Sequence, residues 1–197
     1  MFQIRIHGRG GQGAVTAAEV LSVAAFRDGL HAQAFPAFGS ERMGAPVMAF
    51  CRIDQRPIRL REPIMDPDAI IIQDASLLAD AALLDGLKPD GWLLINSEHA
   101  AEDATLHGAA ARVAAGHART LPATVLALEH LRRPTPNIVL LGGFVALTRI
   151  VKLESLADAI RERFPGSMGE ANVRAAQAAY ERLAAAAQAA IEKGAAC

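Results

Sequence analysis

The chain is poor in cysteine, in aromatic side chains and in long apolar runs. It holds two cysteines in 197 residues, and 5% of its residues are aromatic. Two thiolates cannot complete an iron–sulfur cluster or a zinc ribbon, since such sites need about four ligands. The longest apolar run, Ile138 to Leu147, is far shorter than the roughly 20 residues of a membrane-spanning helix. The few aromatics provide no obvious platform for stacking bases.

Charge is balanced as well. The chain has 20 Lys+Arg against 21 Asp+Glu, a net charge of −1 with His neutral. A broad basic face is therefore absent, and we expect no nucleic-acid partner. The start of the chain, Met1 to His7, lacks the basic and apolar regions of a signal peptide. The six histidines show no metal-ligand spacing. These absences predict a cytoplasmic protein without a metal site or a membrane partner.

Apolar patterning predicts strands that alternate with helices. Such alternation is typical of an α/β fold. We expect a Rossmann-like, mostly parallel sheet with flanking helices, one β-hairpin arm and a C-terminal helical extension, all in a single domain over residues 1–197 with the extension at 152–197. The expected strands are 2–7, 31–35, 47–53, 58–60, 69–72, 91–96 and 119–122, and the strand at 58–60 is expected to pair with 47–53 as a β-hairpin. The expected helices are 14–27, 76–85, 123–131, 138–151, 154–164 and 170–193.

The helix expected at 138–151 is apolar on nearly every side. Such a helix is usually buried. The pattern alone does not decide whether its burial lies inside its own domain or against another chain.

A glycine-rich turn follows the first expected strand. Gly8, Gly10 and Gly13 satisfy the pattern G-x-G-x-x-G between a strand and a helix, which is the required context. Glycines permit positive φ and close backbone approach. A helix start presents unpaired N–H groups and a positive dipole end. The turn therefore suits a phosphate or a carboxylate.

Three interpretations of this turn stay open. A nicotinamide site expects an acidic residue near the end of the second strand. Here Phe35 leads into Pro36 and Ala37, and no acid comes before Glu41. Besides ordinary dinucleotide binding, the glycines could serve only helix packing, or the turn could meet an anionic group from another subunit or a shared cofactor.

A second loop, residues 39–46, places Ser, Glu and Arg between glycines and a proline. Loops at the carboxyl ends of strands line the ligand crevice of a doubly wound sheet. Arg42 could hold a carboxylate or phosphate, or make an interface ion pair, against the alternative of a solvated loop. The candidate binding residues are Gly8, Arg9, Gly10, Gly11, Gln12, Gly13, Ser40, Glu41, Arg42 and Gly44.

Four segments taken together resemble a known family. Residues 4–13, 38–47, 136–143 and 164–172 follow the order of the gamma subunit of 2-oxoacid:ferredoxin oxidoreductases of the pyruvate/2-ketoisovalerate type. Met43 departs from the pattern, because the family commonly has a second Arg or another polar residue there.

The resemblance implies a non-autonomous subunit with no catalytic residue and no cofactor of its own. The complex would decarboxylate a 2-oxoacid on thiamine diphosphate with Mg, pass electrons through iron–sulfur clusters, and form an acyl-CoA. Its implied partners are alpha, beta and ferredoxin-like delta subunits. The glycine turn and the loop Ser40 to Gly44 would face the shared site, where the 2-oxoacid and coenzyme A meet. The alternative is a stand-alone Rossmann-type oxidoreductase that binds NAD or FAD.

Overall fold

A computed structural model describes residues 1–37 and 43–194, with side chains described through residue 186. The described part of the chain opens with a strand and a helix, as the patterning predicts, but the next five strands follow without an α-helix between them, and four α-helices come last. Their bounds are β1 (Phe2–Arg9), α1 (Ala14–Arg27), β2 (His31–Pro36), β3 (Pro46–Asp54), β4 (Ala69–Ile72), β5 (Trp92–Asn96), β6 (Ala118–Leu121), α2 (Ala123–Leu131), α3 (Asn137–Thr148), α4 (Leu153–Arg163) and α5 (Ser167–Gly194).

The strands form one 6-stranded sheet in the order β2-β3-β1-β4-β5-β6. The pairs β1/β4, β4/β5 and β5/β6 are parallel, whereas β3 runs antiparallel between β1 and β2. The expected Rossmann-like, mostly parallel sheet is confirmed. We call the edge where β1 and β4 end the carboxyl edge, and the opposite edge the amino edge. After β1 the chain visits β2 and β3 on one side and then crosses to β4 on the other, so the switch point of the topology lies at the end of β1.

The predicted β-hairpin between residues 47–53 and 58–60 does not form. Residues 58–60 form no strand, and β3 pairs instead with β2, where Gln33 lies opposite Arg52. The physical reason is that β1 and β2 occupy both sides of β3, so no free edge remains for a return strand.

The single α-helix predicted at 76–85 does not form. Two short 3₁₀ helices, Ala75–Ala79 and Ala81–Leu84, replace it. Asp74 and Asp80 each accept a hydrogen bond from the N–H two residues later, which starts a new turn and interrupts the ladder.

The apolar helix α3 belongs to the chain's own core. Every residue from Ile138 to Leu141 is fully buried, and α5 crosses α3 so closely that a Cβ on Gly142 would collide with the Ala176 carbonyl. Of the two alternatives for this helix, burial inside the domain is therefore the correct one. Among the residues that the structure describes, no helix is both long and apolar enough to cross a membrane.

Candidate functional site

The glycine turn joins β1 to α1 at the carboxyl edge. Gly11 and Gly13 adopt left-handed backbone with φ of 95° and 78°. The carbonyl of Gly13 accepts from Ala17 N–H at 3.0 Å, which is the first bond of α1. No described side chain caps this helix, so its first N–H groups are open to a ligand within the part of the chain that the structure describes. The strand–turn–helix context is confirmed, although Gly8 and Arg9 still belong to β1.

The segment before β3 is fastened to this turn. Gly10 N–H donates to the Ala45 carbonyl at 2.8 Å, and Gly44 N–H donates to the Gly10 carbonyl at 3.1 Å. The Met43 side chain lies over Gly11, where an added Cβ would be 2.9 Å from its methyl carbon. The structure thus brings Gly10, Gly11 and Gly44 together at this edge. The candidates Ser40, Glu41 and Arg42 lie outside the described residues.

Arg9 uses every nitrogen of its guanidinium within the chain. Nε pairs with Asp74 Oδ2 at 3.0 Å, Nη2 donates to Ser76 Oγ at 2.7 Å, and Nη1 donates to the Gly44 carbonyl at 3.1 Å. The side chain therefore ties the start of β3 and the end of β4 to the glycine turn. Arg9 positions this edge and does not present an unoccupied cation.

Asp74 and Gln12 complete the same network. Burial alone would raise the pKa of Asp74, but hydrogen bonds from Ser76 and the charge of Arg9 outweigh it and lower that pKa. Gln12 Oε1 accepts from Arg9 N–H at 2.8 Å, and its Nε2 donates to Asp74 at 3.4 Å. The carboxylate stays ionised and holds the turn rigid.

Two glycines of the turn are required by close packing. A Cβ on Gly8 would lie 2.5 Å from Oε1 of Gln73, which is 1% exposed. A Cβ on Gly13 would collide with the Asn137 amide, whose Nδ2 donates to the Gly13 carbonyl at 3.3 Å. At these two positions the structure supports the packing interpretation.

Two groups with strongly shifted pKa values stay outside the site chemistry. Burial, with a smaller contribution from the charge of Arg5, lowers the pKa of His7 to about 3, so this imidazole is neutral near pH 7. Burial raises the pKa of the Cys51 thiol to about 12, so the thiol stays protonated and inert.

A cleft of about 400 Å³ lies on one side of the glycine turn. The glycines before α1 and the starts of α3 and α5 line it, together with residues at the ends of α2 and α4. A helix start leaves N–H groups without an intrahelical acceptor. Its described lining contains two basic side chains, His130 and Arg133, and no carboxylate. We call it the rear cleft, and it is lined by Gly11, Gln12, Gly13, His130, Leu131, Arg133, Thr135, Asn137, Phe164, Ser167, Met168, Ala171 and Asn172.

A smaller recess of about 240 Å³, the front recess, lies on the other side of the turn. Gly11 and Gly13 line both spaces, so the turn is the wall between them. The front recess is lined by Arg9, Gly10, Gly11, Gly13, Ala14, Val15, Thr16 and Val47. The start of α1 in the front recess, and the starts of α3 and α5 in the rear cleft, make this edge suitable for an anionic ligand.

The sheet order weighs against an ordinary dinucleotide site. In that site a residue at the end of the second strand reaches the ribose beside the glycine turn. Here β3 lies between β1 and β2, which puts the end of β2 about 10 Å from β1 at roughly 4.8 Å per strand. Among the described residues, no group of three His, Cys, Asp or Glu side chains is placed to hold a metal ion.

Sequence reasoning missed Asp74, His130 and Arg133. Asp74 comes two residues after the buried strand β4, and this carboxyl-end position is a signal that could have identified it. His130 and Arg133 carry no such signal, because only the packing of α2, α3 and α5 brings them to the glycine turn.

Comparison with known proteins agrees with this architecture. Residues 3–182 match the family model for pyruvate ferredoxin/flavodoxin oxidoreductase. The chain is 47% identical to pyruvate synthase subunit PorC of Methanothermobacter marburgensis over 93% of this chain and 98% of that protein. It is 45% identical to the pyruvate/ketoisovalerate oxidoreductases common subunit gamma of Pyrococcus furiosus, over 92% and 97% of the two chains.

A solved structure gives the same answer. The crystal structure of pyruvate oxidoreductase subunit PORC from Thermotoga maritima superposes with a TM-score of 0.77 at 37% identity, covering 91% of this chain and 95% of that one. The resemblance drawn from the sequence motifs is confirmed. This chain belongs to the pyruvate ferredoxin/flavodoxin oxidoreductase family, among its gamma-type subunits.

Proposed function

We propose that the chain works as the gamma subunit of a multi-subunit cytoplasmic 2-oxoacid oxidoreductase that forms an acyl-CoA. Its partners are alpha, beta and ferredoxin-like delta subunits. Thiamine diphosphate with Mg, held by partners, supplies the decarboxylation chemistry, and iron–sulfur clusters carry the electrons away. The names and matched lengths of the relatives support this role.

The rear cleft is the observation that carries the proposed contribution of this chain. Coenzyme A bears several phosphates, and helix starts bind phosphate through open N–H groups and the helix dipole. Here the glycine turn before α1 and the starts of α3 and α5 meet beside Arg133 and His130, without a carboxylate in the described lining. The volume of about 400 Å³ falls within the roughly 300–1,000 Å³ of small-molecule sites.

The cleft also has an apolar side. Leu131, Phe164 and Met168 line it together with the polar helix starts. An apolar wall next to phosphate-binding groups matches a ligand with a phosphorylated end and a less polar chain, as coenzyme A has. The cleft thus accommodates part of the ligand, and sister subunits complete the site.

The glycine turn would hold this edge in place for the reaction. The bonds of Arg9 and Gln12 to Asp74 fix the turn before any ligand arrives. A preformed edge loses little ordering entropy on binding. Within this proposal the chain binds and orients an anion, and it transfers neither protons nor electrons.

Replacement of Arg133 by Gln in the assembled complex tests the assignment. Loss of one charge-assisted phosphate contact is expected to raise the KM for coenzyme A about tenfold, which corresponds to about 1.4 kcal/mol. The KM for the 2-oxoacid and kcat are expected to stay unchanged. Steady-state kinetics with a viologen dye as electron acceptor measure all three values.

Arg132→Gln is the matched control, because Arg132 is exposed like Arg133 but does not line the cleft. If both variants leave the KM for coenzyme A unchanged, the cleft is not its site. The same follows if Arg133→Gln raises the KM for the 2-oxoacid equally.

A further inference from the structure

The segment that follows β3, residues 55–63, crosses the amino edge without joining the sheet. We call it the arm. All of its residues are exposed except Ile58, which is half-buried. Its sequence alternates apolar and basic residues at 58–61, a strand pattern. The arm therefore has the sequence of a strand but no strand partner among the described residues.

Most backbone N–H groups of the arm are not hydrogen-bonded to any described residue. Within the described part of the chain, no N–H from Ile58 to Glu62 donates to a backbone or side-chain acceptor. Arg56 N–H is bound, to Asp54 Oδ1 at 3.1 Å. Backbone N–H groups almost always find a partner when they are buried. A contact that covers the arm must therefore supply acceptors for them.

Both ends of the arm are fixed to the sheet. Arg52 is 1% exposed and donates to the Glu62 carbonyl at 2.6 Å and to the Pro63 carbonyl at 3.5 Å. At the other end Asp54 pairs with the N-terminal ammonium at 3.1 Å. Fixed ends lower the entropy lost when a partner orders the arm.

The arm has a net positive charge. It carries Arg56, Arg59 and Arg61 against Glu62, and none of these arginine side chains makes an ion pair with a described residue. Between them, Leu60 is 41% exposed. Complementarity with this surface requires carboxylates on the partner.

We propose that the arm docks an acidic, extended segment of a partner subunit, which adds to it as a β-strand and accepts its backbone N–H groups. Strand addition of this kind takes affinity from main-chain bonds and selectivity from side chains. The inference rests on the proposed function, since it requires a sister subunit. The arm lies at the edge opposite the glycine turn, so it is separate from the rear cleft.

Hydrogen exchange of the complex, purified through a tag on another subunit, provides the direct test. Compared with the isolated chain, the amides of 58–62 are expected to exchange at least about tenfold more slowly in the complex. Unchanged exchange in an assembled, active complex overturns the docking proposal and leaves the proposed function standing. Failure of the chain to join any 2-oxoacid oxidoreductase subunits overturns the proposed function itself.

Charge reversal gives a second, independent readout. Arg59→Glu/Arg61→Glu is expected to lower recovery of this chain with its partners at least about tenfold, with an unchanged melting temperature of the isolated chain. The matched control is Arg174→Glu/Arg182→Glu, the same charge change at exposed positions of α5. Equal recovery of the two variants overturns the proposal. Protection of the arm in the isolated chain at high concentration also overturns it, because the occupant is then a second copy.

Discussion

The two edges of the sheet satisfy their polar groups in different ways. At the carboxyl edge Arg9, Gln12 and Asp74 bind one another, and the open N–H groups are those of helix starts around a recess. At the amino edge Arg52 holds one end of an arm whose N–H groups from Ile58 to Glu62 have no acceptor among the described residues. A rigid edge with a few open donors suits a small anion. A segment with fixed ends and unbound backbone N–H groups suits another polypeptide.

The largest expected effect on stability is at Gly13. Gly13→Ala places a Cβ against Asn137 and forces φ of 78° on a residue with a side chain. We expect the free energy of unfolding to fall by about 3 kcal/mol, as a sum of left-handed strain and overpacking. Urea unfolding of the isolated chain measures it.

Gly44→Ala is the matched control for this prediction. Gly44 has φ of 77°, but an added Cβ would meet no atom of a described residue within 4 Å. Only the strain of about 1 kcal/mol should remain. Equal losses for the two variants would contradict the claim that close packing against Asn137 requires a glycine at position 13.

The next effect concerns His7, the residue before the glycine turn. Its pKa is about 3 in the folded chain against an ordinary value of 6.5. As pH falls, the unfolded chain binds this proton before the folded chain does. The buried neutral imidazole therefore costs no stability above pH 6.5, and the free energy of unfolding decreases as pH falls from 6.5 toward 3. The slope is about 1.4 kcal/mol per pH unit within that window.

His7→Gln is expected to flatten the dependence of stability on pH between about 6 and 4.5 by roughly this slope. Unfolding free energies of both proteins at three pH values across that range measure the difference. Parallel curves for the two proteins would show that His7 is not held neutral by burial.

The smallest expected effect is the difference in stability loss between removing one carboxylate from each edge. Asp74→Ala removes the partner of Arg9 and the cap of a 3₁₀ helix, at a cost of about 1–2 kcal/mol. Asp54→Ala at the amino edge removes a partly exposed ion pair with the N-terminus and no helix cap, so the loss should be smaller. A larger loss for Asp54→Ala than for Asp74→Ala would reverse the comparison.

Local patterning predicted the regular elements well. The bounds of α1, β4 and α2 are those expected from the sequence, because helical spacing or a short apolar run between breakers is a local signal. The return strand at 58–60 was wrong, since it depends on whether β3 has a free edge. That edge is occupied by β2, and a pattern within residues 58–60 cannot contain this information.

The candidate site was predictable in part. The strand, the glycines and the following helix identify the turn without any knowledge of tertiary structure. Its partner Asn137 lies 124 positions from Gly13, and α5 begins still later in the chain. The convergence of helix starts on the rear cleft is a product of tertiary packing, so only the folded structure reveals it.

Affinity purification of the tagged chain from its native host tests the central claim most directly. The account predicts that larger subunits co-purify, and that the purified complex reduces a viologen dye only when both a 2-oxoacid and coenzyme A are present. The isolated 20.8 kDa chain should be inactive. A lone chain that carries a tightly bound flavin or nicotinamide and catalyses the reaction without partners would contradict the account.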